Sequence, residues 1–364
     1  MRLFACCPEH SLVARGPSAN AQPASPHRRQ VLAGLTAAAT AALLPSHRAA
    51  AQTPAAPHRI DVHHHLTPPA YVEELAPMHQ LTRQTLDWTP ARAIEQMDQG
   101  GVATSITSIT TPGLWFGSHS PARRLARACN DYAAKLVADQ PRRFGMFVNL
   151  PLPDIEGSLK EIEYGLDVLK ADGVSLFTSY GDKWLGDPAF NPVYEELNRR
   201  KAVVYTHPTT ANCCTNVLAV IHDSAIEYGT DTTRAIANMV FSGTAARYPD
   251  MRLIWSHGGG TMPFLIDRFV NSMKVPANRS RFPAGFMPEA HRFFYDTAQV
   301  PNKAALSALK AVIPVSNILF GTDYPFLTAE HHVKGIAESG VFTADEMRAI
   351  DRDNAVKLLP RFKA

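Results

Sequence analysis

Residues 60–65 read Ile60-Asp61-Val62-His63-His64-His65, an apolar run that closes on three histidines. In a strand, side chains alternate, so His63 and His65 share one face while His64 points to the other. Two imidazoles side by side at a strand end make a ready pair of metal ligands. The flanks are apolar strand rather than linker, which excludes a purification tag. Three further runs end in the same way: Val203-Val204-Tyr205-Thr206-His207-Pro208, Leu253-Ile254-Trp255-Ser256-His257 followed by Gly258-Gly259-Gly260, and Ile318-Leu319-Phe320-Gly321-Thr322-Asp323-Tyr324-Pro325. A lone histidine at a strand end is most often just a hydrogen-bonding residue. Several strands ending alike point to a barrel, which gathers such ends around one axis.

The rest of the chain fits that architecture. Strand-like segments fall at 60–66, 103–111, 144–150, 174–179, 203–207, 253–257, 293–297 and 318–323. Helical stretches separate and follow them at 90–100, 121–139, 154–170, 188–201, 231–248, 262–273, 302–312, 329–338 and 343–359. Thr89 before Pro90 gives the first of these a capping residue and a proline at its first position. Eight strands alternating with helices predict an α/β chain closed as a (β/α)8 barrel, one domain over 52–364. An open doubly wound sheet is the rival, but its Gly-rich phosphate loop is missing after the first strand. Two long loops, 67–89 and 208–230, follow strand C-termini and are candidate lids or substrate walls.

Composition narrows the class. The chain has 364 residues, 45% hydrophobic and 19% charged, with a net charge of +3. No clustered basic face suggests nucleic acid. Arg28-Arg29, an Ala-rich stretch from Val31 to Leu44, and Ala49-Ala50-Ala51 follow the pattern of an export signal, with the arginine pair resembling the twin-arginine type. Residues 1–51 are therefore expected to be a signal peptide, with a start codon further downstream an alternative, and the mature chain to be periplasmic or secreted. The apolar stretch is too short for a membrane span, and none is expected in the mature chain. Cys129, Cys213 and Cys214 remain after cleavage, too few for a disulfide framework.

Taken in order, Asp61-x-His63-x-His65, His207-Pro208, His257-Gly258-Gly259-Gly260 and Gly321-Thr322-Asp323-Tyr324-Pro325 resemble the amidohydrolase-2 branch of the amidohydrolase superfamily over about residues 58–360. Its best-known members are metal-dependent, non-oxidative decarboxylases acting on aminocarboxymuconate semialdehyde, resorcylate, carboxyvanillate or methylsalicylate. The resemblance implies metal ligation by His63, His65, His207 and Asp323, with Asp323 also catalytic. His257 would be the general acid/base, and Arg268 would bind a substrate carboxylate, in some members that of a neighbouring subunit. A homodimer is expected on the same ground. Where the semialdehyde decarboxylase has a second substrate arginine, this chain has Ala93, with Arg92 one residue earlier.

Three imidazoles and a carboxylate suit one divalent ion, Zn2+ first and Mn2+ second. The fourth strand ends Thr178-Ser179-Tyr180-Gly181, with Lys183 beyond it, so no bridging lysine is expected and the site reads as mononuclear. There is no Gly-x-Ser-x-Gly elbow to support serine hydrolysis. Cys213-Cys214 is a weaker ligand candidate, being a loop thiol pair. Trp115, Phe116, Trp184 and Phe326 either stack on a planar substrate or pack the barrel mouth. The expected activity is decarboxylation of an ortho-hydroxybenzoate-like or unsaturated small-molecule carboxylate. The alternative is hydrolysis of a lactone or amide by water activated at the same metal. A metal-bearing binding protein is a third possibility that nothing in the sequence favours.

Overall fold

The computed structural model describes residues 57–78 and 80–363. The expected signal peptide lies outside the described residues. Eight parallel strands pair in sequence order: β1 (Arg59–His65), β2 (Val102–Ser108), β3 (Phe144–Asn149), β4 (Gly173–Phe177), β5 (Val203–His207), β6 (Arg252–Trp255), β7 (Phe294–Asp296) and β8 (Ile318–Leu319). The seam between β8 and β1 closes through Val62 N–H to Phe320 O at 3.0 Å, Asp323 N–H to His63 O at 2.8 Å and His65 N–H to Tyr324 O at 2.8 Å. The sheet is thus a barrel, and its strands, enclosed on both faces, read as apolar runs for that reason.

A main helix follows each strand, with shorter ones beside some of them: α1 (Pro90–Gln99), α2 (His119–Asp139), α3 (Ile155–Glu163), α4 (Asn191–Arg199), α5 (Glu227–Phe241), α6 (Ile266–Ser272), α7 (Lys303–Val312) and α8 (Ala329–Ser339). Local chemistry fixes several of their starts. Thr89 accepts from Arg92 N–H, Asp154 from Gly157 N–H, Asn302 from Ala305 N–H and Thr328 from His331 N–H. Inside the barrel, Phe147, Val203, Tyr205, Ile254 and Leu319 form one core with Leu358, Leu359 and Phe362 of the C-terminal segment. That segment also bonds to the strand N-termini, Arg352 donating to His58 O and Arg252 to Leu358 O. The strand C-termini are left to build the site.

Several expected boundaries shift, among them the helix at 262–273, which starts only at Ile266. The stretch 231–248 begins earlier, at Glu227, and breaks at Gly243, whose φ of 79° ends the helix. The loop 67–89 carries two short helices, Pro69–Leu75 and Arg83–Leu86. Regular pairing stops at Leu319 and Trp255, short of Asp323 (φ 59°) and His257 (φ 54°), which both turn into left-handed backbone.

Candidate metal centre

Each expected histidine ligand is held by its far side. His63 Nδ1–H donates to Asp296 Oδ2 at 2.8 Å, His65 Nδ1–H to Ser108 O at 3.4 Å and His207 Nδ1–H to Pro208 O at 2.7 Å. Anchoring Nδ1 sets each ring's orientation and turns all three Nε2 atoms inward. There they meet Asp323. His63 Nε2 and His65 Nε2 are 3.2 Å apart, and Asp323 Oδ1 lies 3.1, 2.9 and 3.9 Å from the Nε2 atoms of His63, His65 and His207. Ligands about 2.1 Å from one ion sit roughly 3–3.5 Å apart. The donor set therefore fits a single divalent cation. The test within the molecule is His207 Nε2, a buried nitrogen with no hydrogen-bond partner. Such an atom is costly unless something electrophilic faces it. His63, His65, His207 and Asp323, all buried, form a metal site.

Electrostatics follow from the burial. Burial disfavours the charged form of His63, but the carboxylates of Asp296 and Asp323 outweigh it and take its pKa to about 10. Burial pushes His65 below its ordinary value and takes His207 down to about 3, leaving both as neutral donors. Burial alone would raise the Asp323 carboxyl, yet the charge of His63 and the surrounding imidazoles hold it well below the usual range.

His257 stands beside this set rather than in it. Its ring stacks on His63 with centroids 5.1 Å apart, and its Nε2 lies 3.3 Å from Asp323 Oδ2. Its backbone N–H donates to Asp296 Oδ1 at 2.9 Å, so one carboxylate orients both His63 and His257. The glycines around it have steric reasons. A Cβ on Gly260 would fall 2.0 Å from Gly229 O, and one on Gly321 would fall 3.0 Å from the Cβ atoms of His63 and Asp296. Asp61 locks the seam beneath, accepting from His63 N–H at 3.0 Å, Thr322 N–H at 3.1 Å and Thr322 Oγ1–H at 2.7 Å. His64 turns outward and stacks on Tyr324.

The remaining expected residues divide. Phe326 sits edge-on to His65 with centroids 5.9 Å apart. Trp184 instead donates to Asp231, Trp115 packs on His119, and Phe116 joins the outer core. Cys213 and Cys214 stay on the surface of their loop, outside the ligand cluster. Lys183 is exposed in a small hairpin (Ser179–Tyr180 with Lys183–Trp184), while Thr178 bonds Asp231. Arg92 is exposed and donates to Asp87 O. Arg268 is exposed, and among the described residues its guanidinium has no partner.

The sequence reading missed Asp296, which ends β7 as the histidines end their strands and was open to the same argument. It also missed Phe177 and Tyr228, whose rings lie 6.0 Å from that of His207, and Gln299, which donates to Asp323 Oδ2 at 2.8 Å. Nothing in their sequence context marks those three.

The amidohydrolase family profile matches residues 60–361. The chain is 38% identical over 324 residues to the decarboxylase yanB of Aspergillus niger, covering 84% of this chain and 88% of that protein. It is 34% identical over 327 residues to the 6-methylsalicylic acid decarboxylase of Penicillium expansum, covering 84% and 97%. A solved dihydroxybenzoic acid decarboxylase from a Polaromonas species, with bound manganese, superposes with a TM-score of 0.71 at 23% identity over 84% of this chain and 98% of that one. With the barrel, the ordered ligand motifs and these matches together, the chain belongs to the amidohydrolase family, in its amidohydrolase-2 branch.

Proposed function

We propose that the protein is a metal-dependent, non-oxidative decarboxylase of an aromatic carboxylate carrying an ortho hydroxyl, as the substrates named for its relatives suggest. The observation that carries this reading is His257, a buried imidazole 3.3 Å from the ligand Asp323 but outside the ligand set. It is placed to move a proton at the edge of the site. A divalent ion held by His63, His65, His207 and Asp323 supplies Lewis acidity toward the oxygens of the substrate. The donor set favours Zn2+, and the manganese of the Polaromonas enzyme supports Mn2+ as the alternative.

The chain's own residues do the rest. Phe326, Phe177 and Tyr228 ring the histidines and offer faces and edges to a planar ring. His257 Nε2 delivers a proton to the ring carbon that bears the carboxylate. The C–C bond then breaks, its electrons restore the aromatic ring, and CO2 leaves. Asp323 stays ionised and holds His257 close, its Oδ2 3.3 Å from the ring's Nε2.

Arg268 binds the carboxylate of a substrate in a neighbouring subunit of a homodimer. Its exposed guanidinium, without a partner among the described residues, and the exposed Phe264, Val270 and Val275 near it in sequence support that role. Light scattering and the activity of Arg268→Ala test it. Export through residues 1–51 stands on the arginine pair and Ala-rich stretch alone, and N-terminal sequencing of the secreted chain tests it. Among the described residues no helix is long and apolar enough to cross a membrane.

The metal-loaded protein, given a panel of hydroxybenzoates, an unsaturated carboxylate and several lactones, is expected to release CO2 only from ring carboxylates with an ortho hydroxyl. Opening of a lactone with no CO2 from any acid would instead establish the hydrolase.

A further inference from the structure

Gln299 follows β7 in a loop at the barrel mouth, exposed, with its backbone at φ 61°. Left-handed backbone at a long non-glycine side chain is unfavourable, by roughly 1 kcal/mol or more, and persists where the surroundings enforce it. Here they do. Its N–H donates to His332 Nε2 at 3.1 Å, and the buried His332 is itself fixed by donating from Nδ1 to Thr328 O at 3.0 Å. That grip from α8 swings the Gln299 side chain over the site, where Nε2 donates to Asp323 Oδ2 at 2.8 Å. His257, Gln299 and Asp323 are three of the six described non-glycine residues with positive φ, and all three meet at this one oxygen.

The geometry points to Gln299 as a positioning residue of the metal centre. It engages Asp323 Oδ2, with His257 on the same oxygen, and so leaves Oδ1 directed at the three Nε2 atoms. Without the amide the carboxylate is free to rotate about its last bond and present either oxygen, or both. The inference rests on the reading of His63, His65, His207 and Asp323 as the ion's ligands. It goes beyond that reading in naming what fixes the fourth ligand.

Gln299→Asn and Gln299→Gly separate positioning from architecture. Both residues accept left-handed backbone more readily than glutamine, so the metal-free variants are expected to unfold at or above the wild-type temperature. Asparagine is one methylene too short to reach Asp323, and glycine has no amide. Removal of such outer partners costs 10–100-fold in metal affinity or activity. We expect Mn2+ and Zn2+ dissociation constants, from chelator competition, to rise about tenfold in both variants, with kcat reduced about tenfold and KM within twofold. Affinities and kcat within threefold of wild type in both variants overturn the assignment. Absence of stoichiometric ion binding by the wild-type protein would instead overturn the ligand reading beneath it.

Discussion

Replacing Asp296 by asparagine removes one charge and exchanges one acceptor for a donor at the point where two site histidines are oriented. Asp296 Oδ1 accepts from His257 N–H at 2.9 Å and Ala298 N–H at 3.0 Å, and Oδ2 accepts from His63 Nδ1–H at 2.8 Å. An asparagine has one oxygen to share among these three donors. With its oxygen toward the His63 side, its NH2 faces two backbone N–H groups, at about 1–3 kcal/mol for each donor stranded. With its oxygen toward the backbone, only His63 is affected, and the ring escapes by giving up its Nδ1 proton and keeping the one on Nε2. The second arrangement is cheaper. It leaves a proton on the nitrogen that serves as ligand, so metal affinity is expected to fall 10–100-fold, about 1.4–2.7 kcal/mol. Chelator competition measures the affinity, and a urea unfolding midpoint near wild type checks that the barrel is intact. Affinity within twofold of wild type would refute the assignment of Asp296 as the group that sets the His63 tautomer.

Other perturbations separate the remaining roles. His207→Ala is expected to lose both bound ion and turnover, whereas His257→Ala keeps the ion by elemental analysis and loses turnover; activity in either contradicts its role. Metal binding should also depend on pH. With the His63 pKa at about 10 and His65 and His207 neutral, one proton leaves for each ion bound near neutrality. Affinity then rises about tenfold per pH unit between roughly 7 and 9, and a flat dependence would rule this out. The same shift acts on the metal-free fold. A histidine with its pKa raised above the unfolded value of about 6.5 stabilises below that pH, and this is lost as pH rises through about 10. Metal-free melting temperatures should fall across that window. Asp231→Ala strands donors from Thr178, Ser179 and Trp184 and is expected to cost about 3 kcal/mol or more in urea unfolding, a smaller loss meaning that water replaces the carboxylate.

The eight strands were legible because each is an apolar run enclosed on both faces, and the ligands because barrel strands carry their polar residues at one end. Strand ends near the site were less so. At His257 and Asp323 the backbone leaves the strand before the functional residue, and a left-handed turn at a histidine or aspartate leaves no periodic trace. The helix at 343–359 reads as one amphipathic stretch but is interrupted by a π-helical turn at Ala349–Asp353, and the stretch at 154–170 ends in one, Tyr164–Val168, that follows α3. Asp296 was legible by the rule that found the histidines. Gln299 was not, since its role depends on His332, 33 residues away on α8. The aromatic residues show the same limit. Composition marked four candidates near strand ends, but only three-dimensional packing separates Phe326, which faces His65, from Trp184, which is tied to Asp231.

The central claim is tested most directly by running the metal-loaded protein with an ortho-hydroxybenzoate in D2O and following CO2 and product mass together. The account predicts one CO2 per phenol formed and one deuterium at the carbon that held the carboxylate, with neither seen in His257→Ala. Product that gains the elements of water, with no CO2 released from any ring carboxylate, would contradict it.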